Sequence, residues 1–133
     1  MRRLWGLRQR GIVAVELALV LPVLLFLVLG MMDYGYYFFC ALTATNAARE
    51  GSRAGTTVPN GDAAKARATT LAYLASAGMS NQPTSVNVVV GSLPTSVSVE
   101  VQMHFTPLVG FVPLPSDGAG PVAHAKAVMM GVP

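Results

Sequence analysis

The sequence predicts an α+β protein: a long N-terminal helix that crosses a membrane, a second helix, and a small antiparallel sheet of about three strands. Three observations predict this fold. Residues 11–32 are an apolar run in which Glu16 is the only charge, a weak apolar stripe follows residue 62, and residues 95–105 alternate strictly between apolar and polar. Hydrophobic residues make up 53% of the 133 and charged residues 11%, which is typical of a single-span membrane protein.

The four arginines that precede the apolar run predict its orientation. Arg2, Arg3, Arg8 and Arg10 more than account for the formal charge of +3, and the rest of the chain has a net charge of −1. By the positive-inside rule they predict a cytoplasmic N-terminus. The other basic residues are scattered, which excludes the charged face of a nucleic-acid-binding protein. Residues 1–11 are therefore interpreted as a basic leader.

Residues 12–33 form the predicted transmembrane helix. Ile12–Met32 spans about 30 Å as a helix, which matches a bilayer core. A carboxylate in this segment is costly, so Glu16 either makes an assembly contact or reaches back to the nearby cytoplasmic interface. Pro22 cannot donate to the carbonyl of Ala18 and predicts a kink, either an ordinary membrane-helix proline or a functional hinge.

The helical pattern continues beyond the span to about Gly55, as an extension over residues 34–57 outside the cytoplasm. Ala47, Gly51 and Gly55 are spaced four apart, so they either admit another helix closely or mark the fraying helix end. Cys40, the single cysteine, is either a small hydrophobe at the membrane boundary or an intermolecular disulfide partner. The aromatic cluster at residues 34–39 favours the headgroup layer.

Residues 62–133 are predicted to form the small α+β domain. Asp62 predicts an N-cap and Gly78 a helix stop. The apolar stripe of this second helix comprises Ala63, Ala66, Leu71, Leu74 and Ala75. The predicted strands are 86–90, 95–105 and 122–130, with a turn at 92–95.

The long connection at residues 106–120 is predicted to be a loop, yet it is too apolar for free solvation. Its apolar residues either cover the sheet, face a partner or face the membrane; they are Leu108, Val109, Phe111, Val112 and Leu114.

Catalytic and metal-binding patterns are absent from the sequence. His104 and His124 fall on predicted polar strand faces, and two histidines alone make a poor zinc site. An enzyme would need a polar pocket around His104, His124 or Glu100. We therefore expect no enzyme, no cofactor, no metal, no small-molecule substrate and no nucleic-acid partner.

Two segments carry a family resemblance. Residues 10–22 (RGIVAVELALVLP) and residues 45–53 (TNAAREGSR) resemble the TadE family, minor pilin-like proteins (pseudopilins) of the tight-adherence (Tad, type IVc) pilus system. Leu17 stands where the small major pilins carry tyrosine, which favours the TadE-like interpretation.

The resemblance implies a function and its residues. A prepilin peptidase would cut between Gly11 and Ile12, and Glu16, fifth in the mature chain, would pair with the N-terminal amine of a neighbouring subunit. Pro22 lies in the same assembly helix. The second motif would serve helix packing through Asn46, Ala47, Ala48, Arg49, Glu50, Gly51 and Arg53.

The implied protein is a scarce subunit of the bacterial inner membrane with a periplasmic C-terminal domain. It would enter a cell-surface pilus at fibre initiation or the tip and serve adhesion, and its partners would be the prepilin peptidase, other pilin-like subunits and the pilus assembly platform. The alternative is an uncleaved single-span scaffold of the pilus or secretion machinery.

Overall fold

A computed structural model of the chain describes residues 4–82, 84–92, 95–110 and 112–131. The elements are the helices α1 (Leu4–Gly55) and α2 (Ala63–Ser76) and the strands β1 (Thr84–Ser92), β2 (Thr95–His104), β3 (Ser116–Asp117) and β4 (Gly120–Met130). This architecture confirms the predicted α+β class. Arg2, Arg3, the turn residues Leu93 and Pro94, and Phe111 lie outside the described residues.

The helix α1 is a single rod of 52 residues, about 78 Å long. It includes Pro22 and ends at Gly55, where the sequence predicted its end. Its two halves differ in environment: residues 12–28 are all exposed, whereas Cys40, Ala44, Ala47 and Ala48 are completely buried.

The helix α2 begins and ends where its capping residues predict. The Asp62 carboxylate accepts a hydrogen bond from the Lys65 amide at 2.9 Å, and Gly78 takes a positive φ of 79° just beyond the last turn. The predicted apolar stripe was partly wrong. The buried row comprises Ala66, Thr70 and Leu74, whereas Ala63, Leu71 and Ala75 are exposed.

The stripe was partly wrong because Thr70 is polar and was therefore not expected to face the core. Thr70 faces α1, and its hydroxyl donates to the Ala66 carbonyl at 2.8 Å, which satisfies the group within its own helix. A threonine can therefore occupy a buried helix face at little cost.

In the part of the chain that the structure describes, the sheet is antiparallel with the strand order β1-β2-β4-β3, which is four strands rather than about three. The additional strand, β3, has only two residues and pairs with the start of β4. A segment this short has no alternation that a sequence pattern can reveal.

The core lies between one face of the sheet and the two helices. The predicted inward face of the second strand is confirmed: Val97, Val99, Val101, Met103 and the following Phe105 are buried. The helix α1 packs over β2 and β4, and α2 packs beside it over β1. The second half of α1 is therefore a core element of the folded domain.

The aromatic cluster at residues 34–39 divides between the domain and its surroundings. The Tyr36 and Tyr37 rings lie 5.7 and 6.0 Å from the Phe105 ring, centroid to centroid. Phe38 and Phe39 stay exposed. Tyr36 and Tyr37 therefore pack α1 against the C-terminal end of β2, where Phe105 lies.

Candidate functional site

The predicted processing residues lie inside α1. Gly11 and Ile12 are in its third turn, and Glu16 follows one turn later on the exposed surface. Glu16 has no ion-pair partner among the side chains that the structure describes. Cleavage after Gly11 and pairing of Glu16 stay predictions.

The surface around Glu16 is apolar and uncovered. Residues 12–28 are exposed along the whole circumference of the helix, and the first buried residue of α1 in the part that the structure describes is Gly30. An 18-residue window in this helix has a mean hydropathy of 3.0, and none of it is buried. Such a helix is long and apolar enough to cross a membrane.

Pro22 lies in the middle of this uncovered segment, and the helix continues through it. Its role as a hinge or as an ordinary membrane proline stays a prediction.

The second motif separates onto two faces of α1. Its small residues Ala47, Ala48 and Gly51 are buried, whereas Asn46, Arg49 and Arg53 are exposed. Glu16 lies thirty residues before Asn46, about 45 Å along the helix, so the fold does not bring the two motifs together.

The buried face of this motif lies in close contact with α2. A Cβ on Gly51 would overlap the Thr70 hydroxyl and lie 2.9 Å from the Ala66 carbonyl oxygen. A Cβ on Gly55 would lie 2.9 Å from Val97 Cγ1. The close helix approach predicted from the spacing of four therefore occurs within the chain, and Gly55 is also the helix end.

The exposed face of the motif carries an ion pair. The Arg53 guanidinium donates to both Glu50 oxygens, at 2.7 and 3.1 Å. The hydrogen bonds from Arg53 lower the pKa of the Glu50 carboxyl, and those to Glu50 raise the pKa of Arg53. Because this pair is one turn apart and solvent-exposed, its contribution to stability is small.

Asp33 is a structural residue that the sequence analysis did not single out. Its carboxylate is 1% exposed and accepts hydrogen bonds from the Val109 and Gly110 amides, at 2.9 and 3.0 Å. The partners lie 76 and 77 residues away in an irregular loop. Its position at the end of the apolar run was the only available signal.

The two histidines do not form a shared site. His104 lies beside Asp117, with its Nε2 2.9 Å from Oδ2, whereas His124 is exposed on β4. Glu100 lies opposite Lys126 across the β2–β4 register. Within the described residues, no group of three or more His, Cys, Asp or Glu side chains could hold a metal ion.

Asp117 closes the turn between β3 and β4. Its carboxylate accepts from the Ala119 amide at 2.9 Å, and this bond, followed by the one from His104, holds the pKa of Asp117 below its ordinary value. These hydrogen bonds of Asp117 are solvent-exposed, and they stabilise the turn between β3 and β4.

Cys40 is a free thiol with no exposed surface. Burial raises the pKa of the thiol, and a hydrogen bond with Tyr36 opposes this more weakly. The environment supports the interpretation as a small core hydrophobe and argues against an intermolecular disulfide, since the sulfur cannot reach another chain without unfolding.

The comparison with family models gives one match, described as TadE-like protein, over residues 11–53. Searches of curated proteins and of solved structures gave no match. The matched segment begins at the predicted cleavage glycine, contains Glu16 and the whole uncovered span, and ends at the arginine of the second motif. Over its long helix, the chain is therefore similar to TadE-like proteins.

Proposed function

We propose that this protein is a minor pilin-like subunit of a Tad pilus. In this proposal a prepilin peptidase removes the leader, the subunit assembles through α1 at fibre initiation or the tip, and the pilus serves adhesion. The observation that carries the proposal is the apolar helix surface at residues 12–28, which is exposed and carries one carboxylate, five residues after Gly11. The TadE-like match over the same helix supports it.

The assembly step follows from the cost of an isolated carboxylate in hydrocarbon. An acidic side chain in a membrane helix costs about 2.5–3.5 kcal/mol at the centre and is stabilised by a cation. Cleavage after Gly11 would create an α-amine on Ile12, which is protonated at neutral pH because its ordinary pKa is about 7.7–8.0. The amine of a neighbouring subunit would therefore draw Glu16 into a pair and favour assembly.

The uncovered helix face continues above the membrane. Phe38, Phe39 and Leu42 are exposed on α1, and Asn46 and Arg49 follow on the same side. These residues recur at helical spacing and face away from the sheet. They offer a second contact for the helix of an adjacent subunit, which supports assembly through α1.

The proposal assigns the remaining properties in the same way. The subunit is structural rather than enzymatic and takes no cofactor, small-molecule substrate or nucleic acid. It sits in the bacterial inner membrane with the domain on the periplasmic side, and its partners are the peptidase, other pilin-like subunits and the assembly platform. The arginine-rich N-terminus supports this orientation.

Mass spectrometry of the N-terminus in purified fibres tests the processing step. We expect the mature chain to start at Ile12 and Gly11→Leu to abolish cleavage. Gly35→Leu is the matched control, because it makes the same change in the same helix, where an added Cβ contacts nothing. Fibres that contain chains beginning with Met1 would contradict the proposal and favour the uncleaved scaffold.

Glu16→Ala tests the assembly step separately. We expect the variant to be cleaved normally but lost from fibres, whereas Glu100→Ala on the sheet is incorporated as in the parent. The measurement is the ratio of fibre-bound to membrane-bound subunit by immunoblot. Normal incorporation of Glu16→Ala is the result expected of an uncleaved scaffold.

A further inference from the structure

Asp33 ties an apolar loop to α1 at the outer end of the uncovered helix. The apolar loop, defined here as residues 106–110 and 112–115, connects β2 to β3. Successive amides of Val109 and Gly110 donate to the two Asp33 oxygens, and Gly110 takes a positive φ of 71° that lets them converge. The Tyr34 hydroxyl adds a bond to the Pro113 carbonyl at 3.2 Å.

The loop also packs directly on the helix. Gly30 is buried, and a Cβ built on it would lie 3.0 Å from Val112 Cγ2. Leu114 is buried in the core. The residues Leu108 and Val109 are the exposed large hydrophobic residues of the described loop, at 60% and 43% exposure. The loop thus presents an apolar tip from a backbone that the helix holds in place.

The height of this tip coincides with the boundary of the bilayer core. Gly30 and Asp33 lie 18 and 21 residues beyond Ile12, about 27 and 32 Å along the helix. A bilayer core is about 30 Å thick. Residues 105–115 contain no charged side chain, so no charge opposes contact with lipid.

We propose that the apolar loop is a second membrane contact, which inserts Leu108 and Val109 into the leaflet on the domain side. This surface contacts the lipid bilayer, because the loop lies beside the outer end of the helix segment that the membrane covers. The contact would hold the domain at a fixed orientation about α1, with Asp33 as the positioning residue. This inference rests on the proposed membrane span of α1.

Tryptophan quenching by lipid tests the contact in the full chain. Trp5→Phe removes the native tryptophan, and single reporters are introduced as Leu108→Trp, Leu24→Trp in the span and Val89→Trp on the far side of the domain. All three parent residues are exposed. Val89 is a suitable control because it lies far from the proposed membrane boundary. It pairs with Ser98, the neighbour of Val97, and Val97 packs against Gly55 at the C-terminal end of α1.

The proteins are reconstituted in phosphatidylcholine–phosphatidylglycerol vesicles with bromine at shallow or deep acyl positions. We expect Leu108→Trp to emit at shorter wavelength than Val89→Trp and to lose intensity mainly with shallow bromine. Leu24→Trp should lose intensity mainly with deep bromine. Asp33→Asn, which keeps one acceptor oxygen but no carboxylate, should reduce the quenching of the Leu108→Trp reporter.

The outcomes distinguish the contact from the span. If Leu24→Trp is not quenched by lipid, the membrane span itself is refuted. Quenching of Leu24→Trp together with an unquenched, water-accessible Leu108→Trp overturns the loop contact alone. Protection that grows with the protein-to-lipid ratio identifies a second subunit as the occupant and also overturns it. Unchanged quenching in Asp33→Asn refutes the role of Asp33.

Discussion

Gly51 leaves no room for a side chain between the helices, which makes it the most constrained position of the second motif. In Gly51→Ala the new methyl group would overlap the Thr70 hydroxyl and press on the Ala66 carbonyl. Overpacking of this kind costs about 1–3 kcal/mol, and the backbone neighbour places it at the upper end. Alanine is more favourable than glycine in a helix interior by about 1 kcal/mol, which offsets part of this cost. We expect a net loss of about 2 kcal/mol in the free energy of unfolding.

The measurement is thermal unfolding of the full chain in detergent micelles, followed by near-ultraviolet circular dichroism. Gly35→Ala is the matched control, since an added Cβ has nothing within 4 Å and should stabilise α1 slightly. Adding Thr70→Ala to Gly51→Ala should recover part of the loss because it removes one of the two clashes. Equal midpoints for Gly51→Ala and Gly35→Ala would show that the helices are not in close contact.

Single residues were predictable from the sequence where their role is local or periodic. The spacing of Ala47, Gly51 and Gly55 allowed either a close helix approach or a helix end, and the structure shows both. Asp62 was correctly predicted to be the N-cap of α2. Asp33 was not predictable, because its partners are amides in a loop 76 and 77 residues away, and any residue except proline can donate a backbone amide. The sequence records side chains, so an interaction with the backbone of an irregular segment leaves no motif.

The β3–β4 turn depends on pH through one carboxylate. The Ala119 amide and His104 lower the pKa of Asp117 in the folded state. A lowered folded-state pKa means that this contribution to stability is complete above the unfolded value, about 3.9, and is lost as pH falls through the folded value. We therefore expect the turn to loosen below about pH 4 while the rest of the sheet persists.

Carbon-13 titration of the Asp117 carboxyl by NMR in micelles measures this shift. In His104→Gln the pKa should rise only partly toward its ordinary value, because the Ala119 amide is the larger cause of the shift. Asp117→Asn assigns the signal and should remove the acid-dependent change at Ala119. A parent protein in which Asp117 titrates at the ordinary value would contradict this account.

At the level of elements, periodic segments were predicted well and short or irregular ones were not. The alternation of β2 identified its buried face, and the caps fixed both ends of α2. The strand β3 escaped because two residues have no period, and the buried row of α2 was misassigned because Thr70 is polar by composition and satisfied by its own helix. Whether a polar side chain finds a hydrogen-bond partner in its own helix depends on conformation, and amino-acid composition does not show it.

The whole molecule divides at about residue 29 rather than at the end of the helix. Residues 12–28 of α1 are exposed, and beyond them the helix supplies a wall of the hydrophobic core. The same helix thus has an exposed apolar surface and a buried surface that belongs to the core. Substitutions on the two surfaces should separate: outward changes affect assembly, and inward changes affect stability.

A pair of truncations tests this division. A chain of residues 29–133 keeps the buried residues of α1 and should be soluble, with one cooperative unfolding transition. A chain of residues 57–133 uncovers Val97, Val99, Val101 and Met103, which pack in one core with Cys40, Ala44, Ala47 and Ala48. At about 1.5–3 kcal/mol for each side chain, this exposure comes to about 6–12 kcal/mol, comparable with the entire stability of a small domain at about 5–15 kcal/mol. We expect the shorter chain to lack dispersed NMR signals and to recover them when a peptide of residues 29–57 is added, whereas a shorter chain that unfolds cooperatively alone would show that the helix is dispensable to the core.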